Sequence, residues 1–170
     1  KTEKSMKEFE LSDREDCAPL TTATSPHKQL SQNGAYHIHR QLVLWTYTIS
    51  FVEIKPSIIS TSTEHGLFLS EMVKLMNPHA LVQREFGHIH PYPDGSLHLL
   101  LPMTDAKEIV VKGWGEFHPL AFLKEIPSNF IMLYSPRSQD ELSLVKRIIL
   151  RSYSFAALSA NGQRNTHVNI

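Results

Sequence analysis

The sequence predicts an α+β domain: a largely antiparallel sheet with a histidine-bearing hairpin at its centre and helices packed on one face. Three observations carry that expectation. Arg84–Leu101 reads as one β-hairpin, Ser138–Glu141 opens an amphipathic helix, and the elements run in the order arm, helix, strands, hairpin, helix, loop, strand, helix. With 170 residues the chain suits one domain with a real core. Residues 18–158 are expected to form it, between an N-terminal tail (1–17) and a C-terminal tail (159–170).

Lys1–Asp16 is charged and poor in apolar residues, as a frayed tail or short surface helix would be. Cys17–Gly34 is rich in Thr, Ser and Pro and reads as an irregular arm. Tyr36–Ile54 is full of β-branched and aromatic residues, which favours strand, yet its length suits a buried helix and periodicity does not separate the two. Ser57–Thr63 reads as a strand that Gly66–Leu69 continues, Glu71–Met76 as a helical turn and Asn77-Pro78 as a loop. In the hairpin, Arg84–His90 is extended, Pro91–Gly95 is dense in turn formers with an Asp-Gly step, and Ser96–Leu101 is apolar enough to be buried on both faces. Thr104 is the expected N-cap of a helix over Asp105–Lys112 that Gly113 closes. Trp114–Leu120 follows as a compact loop and Phe130–Tyr134 as a buried strand. Ser138 and Glu141 have capping-box spacing, and Leu142, Val145, Ile149 and Ala156 recur at helical intervals until Asn161-Gly162.

Composition narrows the function classes. Apolar residues make up 41% and charged residues 20%, and 17 basic side chains balance 17 acidic ones. Zero net charge gives no electrostatic reason to expect nucleic acid or an anionic membrane as partner, and it leaves a homo-oligomer open. The single cysteine, Cys17, allows no intramolecular disulfide, so a cytoplasmic, intracellular setting is expected. No signal peptide is visible, and no run approaches the ~18 apolar residues of a membrane helix. Gly-x-Gly-x-x-Gly, phosphate-loop and Gly-x-Ser-x-Gly patterns are absent, which removes support for common nucleotide cofactors and serine hydrolysis.

The histidines point to chemistry. Side chains alternate along a strand, so His88 and His90 share a face with Phe86 and Arg84, while Glu85, Gly87 and Ile89 take the other. His98 lies on the return strand, and His118 on a later loop. Such imidazoles could pass protons near neutral pH, with Glu64, Glu85 and Glu116 as orienting partners. They could also ligate a metal, in which case His88, His90 and His98 are the set. They lack the fixed spacing of a Cys-x-x-Cys or His-Glu-x-x-His motif, and no metal is the favoured expectation. Arg84 and Arg137 offer guanidinium forks for an anionic oxygen, or else ordinary ion pairs. Trp114, between Gly113 and Gly115, either lies against a flat ligand or plugs the core, and Tyr134 has the same two readings.

One family unites these pieces. Arg84-Glu85-Phe86-Gly87-His88-Ile89-His90-Pro91, Asp94-Gly95-Ser96-Leu97-His98-Leu99, Lys112-Gly113-Trp114-Gly115-Glu116, His118-Pro119-Leu120-Ala121 and Leu133-Tyr134-Ser135-Pro136-Arg137 together resemble the luciferase-domain family, and Ser25-Pro26-His27-Lys28-Gln29-Leu30 fits its upstream pattern. The resemblance implies a helix within 36–54. It also implies an oxidoreductase that uses molecular oxygen as co-substrate, without an organic cofactor, on a small planar hydroxylated molecule such as a hydroxy-α-pyrone. A peroxide then loses CO2, with or without light. Carried onto this chain, it makes His88, His90, His98 and His118 the catalytic residues, with Arg84, Asp94, Trp114, Arg137 and Tyr134 around the substrate. The alternative is a non-catalytic module that binds a small ligand or a metal.

Overall fold

The computed structural model describes residues 9–60, 65–75 and 83–157. In chain order these form α1 (Tyr36–Thr46), β1 (Val52–Pro56), β2 (His65–Leu69), β3 (Glu85–Ile89), β4 (Leu97–Leu100), α2 (Met103–Val111), β5 (Gly115–Phe117), α3 (Pro119–Phe122), β6 (Phe130–Leu133) and α4 (Gln139–Ala156). The strands make one sheet in the order β1-β2-β3-β4-β6-β5, and every pairing is antiparallel. This is the expected α+β class.

The core lies between the sheet and its helices. Ile89, Leu97, Leu99, Ile131 and Leu133 are fully buried and follow the strand alternation across β3, β4 and β6. α4 rests on β3 and β4, α2 on β5 and β6, and α1 on α4. The buried stripe of α4 includes Leu142, Val145, Ile149 and Ala156, as the spacing requires. Its start is a modified capping box: Ser138 Oγ accepts from Glu141 N at 3.2 Å, while the Glu141 carboxylate accepts from the amide of Arg137, one residue before the cap, at 2.7 Å. Ser152 Oγ donates to Leu100 O at 2.6 Å and pins the helix to β4.

Several boundaries differ from expectation for local reasons. Tyr36–Ile54 divides: the helix stops at Thr46, where Thr46 and Thr48 hydroxyls bond back to Val43 and Trp45 carbonyls, and a strand starts at Val52. The strand placed at Ser57–Thr63 is instead Val52–Pro56, ended by its proline; Ser57–Ser60 is irregular and 61–64 lie outside the described residues. Residues 71–75 form a turn rather than a helix, and Met76 and Asn77-Pro78 lie outside the described residues. α2 begins at Met103 after Pro102, so Thr104 sits inside the helix and not at its cap. The Trp114–Leu120 loop contains the edge strand β5 and the start of α3. The described part of the N-terminal tail packs closely: Leu11 is in the core and Arg14 N donates to Lys112 O at 2.8 Å. The C-terminal tail and Asn161-Gly162 lie outside the described residues.

The main departure is a β-bulge. The β2–β3 register shifts between Leu67 and Phe68, so that Leu67 faces Gly87 and Phe68 faces Glu85. The extra residue, Phe86, turns into the core against Tyr153. Glu85 thereby joins the face of His88, opposite to the simple alternation that paired Phe86 with the histidines. Beyond the bulge His88 stands directly across from His98. Gly87 makes this possible, since a Cβ there would lie 2.6 Å from both His98 O and Leu99 Cδ2. Gly87→Ala is expected to cost about 1–3 kcal/mol in urea unfolding, the range for overpacking a closed site.

Candidate active site

The hairpin turn does more than reverse the chain. Asp94 Oδ1 accepts from Ser96 N at 3.1 Å and Ser96 Oγ at 2.5 Å, and its Oδ2 lies 2.7 Å from His90 Nδ1. One carboxylate thus shapes the turn and aims an imidazole. Burial pushes the Asp94 carboxyl up, but the His90 and Ser96 bonds bring it below its ordinary value, so it is ionised.

His88 is aimed in the same way. Its Nδ1 lies 3.1 Å from Glu85 Oε1, and that carboxylate is held by Ser57 Oγ at 2.6 Å and Ile58 N at 2.9 Å. The far nitrogens then converge: His88 Nε2 and His90 Nε2 each lie 3.1 Å from His98 Nδ1.

The irregular arm supplies the remaining parts. Cys17–Gly34 has one bridge, Thr21 to Gln29, and its middle lies over the histidine face of the sheet. Gln29 N reaches Asp94 Oδ1 at 3.3 Å, and Gln29 Oε1 accepts from Ser135 N at 2.8 Å. The arm brings His27 Nδ1 to 3.2 Å from His98 Nε2, and His27 Nε2 to 2.6 Å from Glu116 Oε1. Glu116, on β5, also accepts from Thr21 Oγ1 at 2.8 Å and Tyr134 Oη at 2.9 Å. Burial pushes Glu116 up, yet its bonds to His27, Thr21 and Tyr134 hold it below the usual carboxylate range. The Tyr134 phenol is pushed well above its ordinary value by burial and the nearby Glu116 charge, so it stays a donor.

His98 sits at the centre of this array. Burial, and then the neighbouring His88 and His90 rings, hold its pKa far below that of a free imidazole. His118 caps α3 by accepting from Leu120 N on Nδ1 at 3.1 Å. Burial, and then His27, lower its pKa to about 4. A neutral His118 with an occupied Nδ1 carries its proton on Nε2 and is a donor there.

These rings border a cavity of about 120 Å³. That is roughly ten times what one water needs. Its apolar wall includes Pro26, Leu100, Leu120 and Phe130, and Lys28 stands at its exposed side. The result is a pocket with an apolar wall and imidazole edges on one side, suited to proton movement beside a flat ligand.

The structure brings His88, His90, His98 and His118 together, with Asp94 and Tyr134 bonded to their partners. It places the other expected residues elsewhere. Arg84, at φ +73°, folds back onto the carbonyls of Leu69, Ser70 and Val73, because the bulge turns it off the histidine face. Arg137 binds Glu141, with its Nη2 at 2.6 Å from Oε1, and Asp16, with its Nη1 at 2.9 Å from Oδ2. Trp114 is the core plug of its two readings, with Nε1 donating to Ser12 O at 2.8 Å. Of the expected orienting carboxylates, Glu85 and Glu116 take that position, and Glu64 lies outside the described residues. His27 carried no expectation of contact, although its Pro26-His27 pair was among the motifs.

Residues 83–152 match the family model described as luciferase domain. Over 75 residues the chain is 43% identical to luciferases of Armillaria ostoyae and Armillaria mellea. Over the same length it is 40% identical to that of Neonothopanus nambi. The aligned stretch is 43% of this chain and 28% of each of those proteins. No solved structure matches significantly. Among the described residues, no helix is long and apolar enough to cross a membrane.

Proposed function

We propose that this chain, whose residues 83–152 match the luciferase-domain family model, catalyses the O2-dependent oxidation of a small, flat, hydroxylated molecule of the hydroxy-α-pyrone or polyketide type. The observation that carries the proposal is the convergence of carboxylate-aimed imidazoles on one side of an apolar cavity.

The chemistry balances without a reductant. An acidic enol gives its proton to the point where His88, His90 and His98 meet, and the oxyanion left behind is held by that charge and by the His118 Nε2–H. The enolate carbon passes its electron pair to O2 and forms a C–O bond, so that O2 becomes a peroxide of the substrate. The distal peroxide oxygen then bonds to a second ring carbon, and the imidazoles return the proton to the ring; as the O–O bond breaks, the ring carboxyl leaves as CO2, and both oxygen atoms end in substrate-derived products. Pro26, Leu100 and Phe130 keep water from the peroxide.

The test is an oxygen electrode with purified protein and a panel of hydroxy-α-pyrones. The expected result is uptake of O2 with matching CO2 release and no added reductant. Saturable binding without uptake points instead to a ligand-binding module. Glu116 acts through His27 and is a positioning residue, 2.6 Å from its Nε2. Glu116→Gln is expected to lower kcat about 10–100-fold, the usual cost of losing the group that orients a functional histidine, with KM and melting temperature little moved.

A further inference from the structure

We infer that Lys28 makes the cavity selective for a carboxylate: its ligand is a single flat hydroxylated ring that carries an ionised carboxyl group on the edge opposite the enol. The inference names the substrate class of the site proposed above and rests on that reading for the chemistry after binding, not for the binding itself.

The size of the cavity sets the ring. Its volume of about 120 Å³ is a little below that of an apolar cavity of about 150 Å³ that takes up benzene. One six-membered ring fills such a space, and a substituent on that ring points to the exposed side. The imidazole edges hold the other side, where the enol gives up its proton. The group at the exposed side therefore decides which substituent is accepted.

Lys28 stands there, and the arm holds it in place. Its amide donates to Thr22 Oγ1 at 2.8 Å, and its carbonyl accepts from Thr22 N at 2.9 Å. The residues on either side are buried anchors. His27 is bonded to Glu116 and His98, and Gln29 donates from Nε2 to Ser31 O and accepts on Oε1 from Ser135 N. Lys28 itself is exposed, and it also borders a second hollow with Leu30, Pro91 and Tyr92. Its stem has apolar surface to lie along while the ammonium faces water. Among the described residues that ammonium forms no salt bridge.

The charges around it favour an anion. Among the described residues, the Lys and Glu side chains bordering the cavity are Lys28 and Glu85. Glu85 is occupied by Ser57 Oγ, Ile58 N and His88 Nδ1. Asp94, which borders the second hollow, is occupied by Gln29 N, Ser96 and His90. Neither carboxylate neutralises Lys28, and the His98 and His118 rings stay uncharged at neutral pH. One ammonium matches the single charge of a carboxylate. A phosphate dianion would keep half its charge uncompensated against an apolar wall.

The test is anaerobic calorimetry of the wild-type protein with a hydroxy-α-pyrone carboxylic acid and with its methyl ester. The acid is expected to bind about 10-fold more tightly than the ester at low salt, the lower edge for a hydrogen bond to a charged group. The advantage is expected to shrink as salt is added, because the pair lies at an exposed edge. Lys28→Met is expected to bring the acid to the affinity of the ester, Lys28→Arg to keep most of the preference, and Lys146→Met, on α4, to leave it unchanged. An ester that binds as tightly as the acid, a preference that survives Lys28→Met, or no binding of either ligand overturns the inference. Should the variants fail to fold, the acid–ester ratio and its salt dependence in wild-type protein decide. Oxygen is absent throughout, so a preference for the acid in a protein that later shows no O2 uptake keeps this site and strikes only the proposed oxidation.

Discussion

Replacing His98 by Asn is expected to lower kcat by at least about 100-fold, at the lower edge of what positioned acid–base groups contribute. His98 lies within hydrogen-bonding distance of His27, His88 and His90, so its loss cuts the route from Glu116 to the cavity as well as the meeting point of the hairpin rings. Its ring thereby joins the arm to the hairpin. The cavity wall of Pro26, Leu100 and Phe130 is untouched by the change, so KM is expected to move far less than kcat. Circular dichroism checks that the variant keeps its fold. Equal turnover by the variant and the wild type would remove His98 from the chemistry.

The second large effect is on stability. Phe86→Ala is expected to cost about 3–5 kcal/mol in chemical denaturation, the usual range for deleting a fully buried aromatic ring. Phe86 is completely buried, and its centroid lies 6.1 Å from that of Tyr153 on α4. A loss of that size approaches the whole stability of a marginal domain. It also reaches the site, because the bulge that sends Phe86 inward is what carries Glu85 to His88. Phe86→Leu retains most of the apolar volume and is expected to recover a large part of the loss in the same experiment.

What could be read from the sequence follows the range of the forces involved. The hairpin and α4 were legible because their signals are local: an Asp-Gly turn between extended runs, and a serine cap with a glutamate three residues on. The class of fold followed from their order. The division of Tyr36–Ile54 was not legible, since β-branched residues fill both its helical and its extended part and the break lies at threonine back-bonds. The bulge was hidden for a different reason. An extra residue in β3 is decided by how β2 pairs with it and by the hole under α4 that accepts Phe86, and neither appears in the residues around Glu85. That one residue misassigned the faces of Arg84, Glu85 and Phe86. His27 was missed because it lies 71 positions from His98 in an arm with little regular structure, where spacing carries no information. Its only signal was the motif that holds it. Arg137 reads alike as a ligand fork or as the partner of a capping glutamate, and the structure selects the second through Glu141.

The most direct test of the account is turnover of one hydroxy-α-pyrone under isotopically labelled O2, with wild-type protein and His98→Asn side by side. The account predicts that the wild-type protein places both labelled atoms in substrate-derived products, CO2 included, without forming hydrogen peroxide, and that the variant forms almost none of these products. Label recovered in hydrogen peroxide or water, or the same labelled products from both proteins, would contradict it.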